Sequence, residues 1–151
     1  MTPYDVVAQT APSRRGTKPE LVALCRRFET EALVTRPERV FATLQDARYV
    51  TAATLSAYRR LADGGAQVRL FARGLQAWLG PGVAGVDLLE DDPLVDEWCV
   101  VLGSERTPTA FAATDLRVLG APETERAFVW AVSHDPDVVQ ECTRLLSTSP
   151  A

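Results

Sequence analysis

Five carboxylates fall within eight positions, Glu90, Asp91, Asp92, Asp96 and Glu97, a density that invites comparison with hard-cation sites built from oxygen ligands. The spacing is not that of a calcium loop, which needs Asp or Asn at alternate positions around a central Gly. Closeness in sequence does not make oxygens converge on one ion, so the stretch reads as a solvated acidic turn and no metal ligand is assigned. Glu97 stands apart because the apolar run Trp98-Cys99-Val100-Val101-Leu102 follows it directly. A carboxylate drawn toward a sheet needs an Arg or backbone partner, and Arg126, one residue before the last predicted strand, is the expected one.

His134, the single histidine, follows that last strand and precedes a helix cap at Asp135. An imidazole there suits general-base or ligand-contacting work near neutral pH. No Ser or Cys sits in a G-x-S-x-G elbow, so a structural or ligand-contacting role is preferred and no catalytic residue is assigned. Ligands of open α/β sheets gather outside the carboxyl ends of the parallel strands. Gln45, Asp46, Arg48 and Tyr49 after one predicted strand, with Arg73, Gly74 and Trp78 after the next, would line such a crevice. Arg48 and Arg73 could hold an anion together. Neither a GxGxxG nor a P-loop accompanies them, so a nucleotide is not indicated. Trp98 and Trp130 fall within strands, where the core is the default, while Trp78 lies near a loop and is expected to be exposed. The candidate ligand contacts are Arg48, Tyr49, Arg73, Trp78, Glu97, Trp98 and His134.

These residues need a scaffold. Residues 1–16 lack periodicity and read as a flexible lead-in. Thr17-x-x-Glu20 is a capping box with Pro19 in the first turn. Leu21, Leu24, Cys25, Phe28 and Ala32 then recur at helical spacing, predicting a helix from about Pro19 to Leu33. A strand over Val40–Leu44, a helix over Thr51–Ala62 stopped by Gly64-Gly65, and a strand over Val68–Ala72 make a right-handed βαβ unit with a parallel pair. Leu75–Leu79 reads as a helical turn, and Val83–Leu89 as a strand. Trp98–Leu102 and Thr109–Ala113 form a hairpin. Ala127–Val132 is the last strand, and Asp135 with Pro136 opens a final helix burying Val138, Val139, Cys142, Leu145 and Leu146. The expected fold is a single α/β sandwich over residues 17–147: a mixed sheet of about six strands, parallel first and antiparallel later, with three main helices. Residues 148–151 form a tail.

Length and composition set limits. At 151 residues one domain buries a sizeable core without disulfides or metals. The three cysteines, Cys25, Cys99 and Cys142, sit at apolar positions without CxxC spacing and read as small buried hydrophobes. A formal charge of −4 with scattered Arg argues against direct nucleic-acid binding, which draws on clustered cations. No run approaches the ~18 apolar residues of a membrane span, and the start lacks a signal-peptide pattern. A cytoplasmic protein is expected.

Asp92-Pro93-Leu94-x-x-Glu97-Trp98-x-Val100-Val101, then Ala110 to Asp115, Arg126-x-Phe128 and His134-Asp135-x-x-Val138-Val139, taken in order, resemble the DICT sensory domain of diguanylate cyclases and two-component systems. The resemblance spans about Pro19 to Leu146. It implies a non-enzymatic sensory or regulatory signal-input domain of bacterial signal transduction that binds a small ligand or a protein partner. Family members are typically joined to GAF, cyclase, kinase or DNA-binding regions. Since no such region follows Ala151, the resemblance implies either a separate partner carrying the output function or a stand-alone version of the domain. The family supplies no established catalytic residues, and no cofactor is named. Two alternatives stay open: a small hydrolase or isomerase using His134 with Glu97 or Asp135, and a plain dimerisation module. The helical face around Leu21, Phe28 and Leu33, or an edge strand, would form the self-complementary surface of a homodimer.

Overall fold

A computed structural model describes residues 1–148. Four α-helices and eight strands occur in the order α1 (Pro3–Ala8), β1 (Arg14–Thr17), α2 (Lys18–Thr35), β2 (Arg39–Asp46), α3 (Ala52–Asp63), β3 (Gln67–Arg73), β4 (Trp78–Gly80), β5 (Val83–Asp87), β6 (Glu97–Gly103), β7 (Thr109–Asp115), β8 (Ala127–Ser133) and α4 (Pro136–Ser147). One sheet holds all the strands in the order β1-β8-β7-β6-β2-β3-β5-β4. The pairs β2–β3 and β3–β5 are parallel and the remaining five are antiparallel. The βαβ unit and the β6–β7 hairpin stand where the sequence puts them.

The middle strands carry apolar residues on both faces, so each face needs a helical cover. On one face Val40, Ala42, Leu70, Val100, Phe111 and Phe128 pack with Leu21, Cys25 and Phe28 of α2 and Tyr58 and Leu61 of α3. On the other, Phe41, Phe71, Val101 and Ala112 pack with Val6 and Val7 of α1 and Val138, Cys142 and Leu146 of α4. The result is a three-layer sandwich. All three cysteines are free and buried. The face of α2 offered as a dimer surface is spent on this core: Leu21 and Phe28 are buried in it, and of the three Leu33 alone is exposed.

Three elements correct the expectation of six strands and three helices. The lead-in over residues 1–16 holds regular structure. Thr2 and Asp5 form a capping box that opens α1, and β1 pairs antiparallel with β8 from Arg14↔Trp130 to Thr17↔Ala127. Gly16 is required in β1, because a Cβ there would meet the Trp130 indole nitrogen at 2.9 Å. The helical turn expected over Leu75–Leu79 does not form: residues 75–77 are irregular, and Trp78 and Leu79 belong to β4, a three-residue edge strand antiparallel to β5. The tail expected over 148–151 lies, from residue 149 on, outside the described residues.

Candidate functional site

The carboxyl ends of β2 and β3 meet the end of β7 and the start of β8 around a crevice of about 370 Å³. Its shape begins with an irregularity in β2. Pairing with β3 runs regularly to Thr43↔Phe71 and resumes at Asp46↔Arg73, so β2 carries one extra residue. Such bulges re-aim side chains beside functional sites. Gln45 sits in the bulge with φ 68°, a left-handed backbone that non-glycine residues adopt at a cost. Arg117, across the crevice, has φ 51°. Asp46 then caps a single 3-10 turn, Ala47–Tyr49, by accepting the Arg48 N–H at 3.1 Å.

Ion pairs fill the walls. Arg126 donates to Asp115 at 2.6 Å, to Gln45 Oε1 at 2.9 Å and to Tyr49 Oη at 2.9 Å. The Gln45 amide closes that loop by donating to Asp115 at 3.3 Å. The Arg126 and Asp115 side chains are 15% and 14% exposed, so this pair is largely withdrawn from water. Burial works against charge on Asp115, but the Arg117 backbone N–H and the Arg126 guanidinium overcome it and hold the carboxyl below its ordinary value. Arg117 also pairs with Asp96, which the 3-10 turn Pro93–Asp96 brings in. Arg73 reaches Asp46 at 3.2 Å, and its Nε is buried with no partner among the described residues.

Tyr49 is the hub of the outer wall. Its hydroxyl donates to Glu123 at 3.1 Å and receives Arg48 at 3.0 Å as well as Arg126. Lys18, Arg48 and Arg126 lie 4.4, 4.9 and 5.2 Å from its ring centre, within reach of the ring's electrostatic attraction for cations. The Lys18 ammonium, 2.8 Å from Glu123, leads the interactions that pull that carboxyl down to about 2.

Of the residues singled out from sequence, Arg48, Tyr49 and Arg73 come together here, with Gln45 and Asp46. The rest lie elsewhere. Trp78 is 70% exposed, as expected, but stands on the outer edge strand beside Val68 and Val83. Trp98 is half-buried in the core, 5.5 Å from the Phe128 ring and 6.4 Å from Phe111. His134 is exposed at the opposite end of the sheet. Its Nδ1 lies 3.2 Å from the Pro108 carbonyl and 3.3 Å from the Thr109 hydroxyl, neither of which is a carboxylate.

Glu97 corrects its expected pairing with Arg126. Both residues are at the same end of the sheet but on opposite faces: Arg126 stacks 5.1 Å over Phe128, whereas Glu97 faces α1. Glu97 is 4% exposed, and its carboxylate accepts the Tyr4 N–H at 3.0 Å and the Cys99 thiol at 3.5 Å. Burial raises its pKa to about 6.

Sequence reasoning missed Lys18, Asp96, Asp115, Arg117 and Glu123 as crevice residues. One signal was available. In an antiparallel β7–β8 pair the end of the first strand must adjoin the start of the second, which puts Asp115 beside Arg126. A larger cavity of about 1160 Å³ lies between α4 and the amino ends of the parallel strands. Its salt bridge, Arg144–Glu141, is on exposed helix surface. No group of His, Cys, Asp and Glu among the described residues is placed to hold a metal ion, and no helix of theirs is long and apolar enough to cross a membrane.

The chain is a three-layer α/β domain with a polar crevice at the carboxyl ends of its parallel strands, the place where open α/β sheets in general receive ligands. Sequence comparison places it in a family. The chain belongs to the DICT family, the sensory domain in diguanylate cyclases and two-component systems, whose family model matches residues 5–116. The match takes in α1 from Asp5 on and the crevice as far as Asp115, while Arg117, Glu123, Arg126 and His134 lie beyond it. No curated protein matches the chain. Among solved structures, a polyphosphate kinase from Porphyromonas gingivalis is similar at TM-score 0.57 and 13% identity, over 96% of this chain and 26% of the kinase. NucT from Helicobacter pylori is similar at 0.51 and 9%, over 91% of this chain and 94% of NucT. TrmBL2, an archaeal chromatin protein, is similar at 0.50 and 13%, over 89% of this chain and 50% of that one. This chain thus spans about a quarter of the kinase and half of TrmBL2. Likeness at such identities is one of fold.

Proposed function

We propose that this chain is a non-enzymatic signal-input domain that recognises a small ligand or a protein partner at the crevice between β2, β3, β7 and β8. Membership of a sensory-domain family supports the signalling part. The observation that carries the site is the crevice itself. A largely buried Arg126–Asp115 pair is tied through Gln45 to a bulged strand with left-handed backbone. Strain of this kind persists only where surrounding structure enforces it, and it concentrates at functional sites. The domain would pass its signal to a separate protein carrying the output, in the cytoplasm, with a homodimer as its working form. The alternative of an enzyme built on His134 is less favoured, since the imidazole is remote from the crevice and from Glu97, its contacts are Thr109 and the Pro108 carbonyl, and Asp135 caps the last helix.

The test is a thermal-shift screen of metabolites together with affinity capture from a bacterial lysate, run on wild type and on Tyr49→Ala. Binding that stabilises wild type and is lost with Tyr49→Ala is the expected result. A wild-type protein that binds neither metabolite nor partner at this crevice sinks the reading.

A further inference from the structure

We propose that the crevice binds a small hydrophilic ligand through an anionic group, a phosphate or a carboxylate, held between Arg48 and Arg73. The inference rests on the signal-input reading and names the chemistry of its ligand. Charge is the first reason. The chain carries a formal −4, yet four guanidinium groups, Arg48, Arg73, Arg117 and Arg126, line this crevice against four carboxylates, Asp46, Asp96, Asp115 and Glu123, with Lys18 close by on Glu123. The recess is thus charge-balanced where the chain as a whole is acidic, so an arriving anion meets no net local repulsion there.

Spare donors are the second reason. Lys18, Arg117 and Arg126 are each engaged by a carboxylate at close range. Arg48 is exposed and gives its hydrogen bond to a phenol, Tyr49 Oη, rather than to a carboxylate. Arg73 meets Asp46 through Nη2 alone, at 3.2 Å, and leaves its buried Nε unpaired. A guanidinium presents a fork of donors suited to two-oxygen recognition of carboxylate or phosphate, and both forks are underused. The lining fixes the rest of the ligand. Val95 and the Tyr49 ring are its apolar surfaces and every other lining side chain is polar or charged. The volume, about 370 Å³, sits at the small end of the ~300–1,000 Å³ usual for ligand sites. A compact, well-hydrated anion fits, and a lipid does not.

Asp46 connects recognition to the backbone. One carboxylate oxygen pairs with Arg73 and the other caps the turn Ala47–Tyr49, so an anion that takes Arg73 releases one end of that link. The experiment is a 15N–1H NMR titration of the full chain at constant ionic strength with inorganic phosphate, with malonate, and with glycerol as neutral control. Saturable shifts at the amides of Asp46, Arg48, Tyr49 and Gly74 are expected with at least one anion and not with glycerol. Arg48→Gln and Arg73→Gln should each weaken that binding by about tenfold or more, the scale of one lost charge-assisted contact. Saturation by phosphate alone or malonate alone distinguishes the two headgroups. Anion shifts that are absent, or that survive both substitutions, overturn the proposal. A molecule without an acidic group, retained in native mass spectrometry and released by Tyr49→Ala but not Arg48→Gln, overturns the anion assignment while leaving the signal-input reading standing. A crevice that responds to no anion and retains no molecule or partner removes both.

Discussion

Replacing Glu97 by Gln should change how stability depends on pH, by an amount the structure fixes. Glu97 is 4% exposed, and its hydrogen bonds come from the Thr2 side chain, the Tyr4 N–H and the Cys99 thiol, with no cation among them. Burial therefore dominates and raises its pKa from 4.5 to about 6. In the folded state Glu97 holds its proton more tightly than in the unfolded chain. Between pH 4.5 and 6 the folded state thus binds more protons, and stability falls as pH rises through that window. The difference corresponds to ~2 kcal/mol once both states are ionised. A Gln side chain carries no charge at any of these pH values, and its Oε1 can still accept the Tyr4 N–H. Whatever constant offset the substitution brings, the stability of Glu97→Gln relative to wild type should rise by ~2 kcal/mol between pH 4 and pH 7. For a chain of this size that is a gain of about 4–8 °C in relative Tm. Urea unfolding followed by tryptophan fluorescence at half-unit pH steps would measure it. Taking the difference cancels the opposite contributions of Asp115 and Glu123, whose carboxyls are held down by their partners. A relative stability that is flat with pH, or that moves against Gln as pH rises, would refute the reasoning.

Asp115→Ala should leave the largely buried Arg126 guanidinium with only its longer, 3.4 Å ion pair to Glu123 and cost about 3 kcal/mol, with a larger loss than Arg117→Ala, whose side chain is 66% exposed. Chemical denaturation of the two variants side by side checks the order. Gly16→Ala would press a methyl against the Trp130 indole and should destabilise by about 1–3 kcal/mol. Hydrogen exchange in that variant should quicken first at β1 and its partner β8, and uniform loss of protection across the sheet would contradict the expected local origin.

Much of the scaffold was legible in the chain. Thr17, Thr51 and Asp135 each open a helix where a small oxygen-bearing residue precedes an apolar period, a local signal that needs no tertiary help. Half of the crevice was legible too. The rule that binding residues follow the parallel strands led directly to Gln45, Asp46, Arg48, Tyr49 and Arg73. It overreached at Trp78, because the chain turns back after Gly74 into the short strand β4 and carries the indole to the sheet edge.

The sequence by itself settled the principal helices, the βαβ unit and the hairpin, since each is encoded by caps, periods and turns between neighbours along the chain. Tertiary structure decided β1 and β4, and it decided α1 apart from its Thr2–Asp5 capping box. The six, four and three residues of α1, β1 and β4 are too few to show a period; α1 and β1 lean on partners distant in the chain, Glu97 and β8, while β4 is held at the sheet edge by its neighbour β5. It also decided which charges meet. Arg126 joins Gln45, 81 residues away, and turns from Glu97 because the sheet stands between them, a fact about faces that spacing along the chain does not contain.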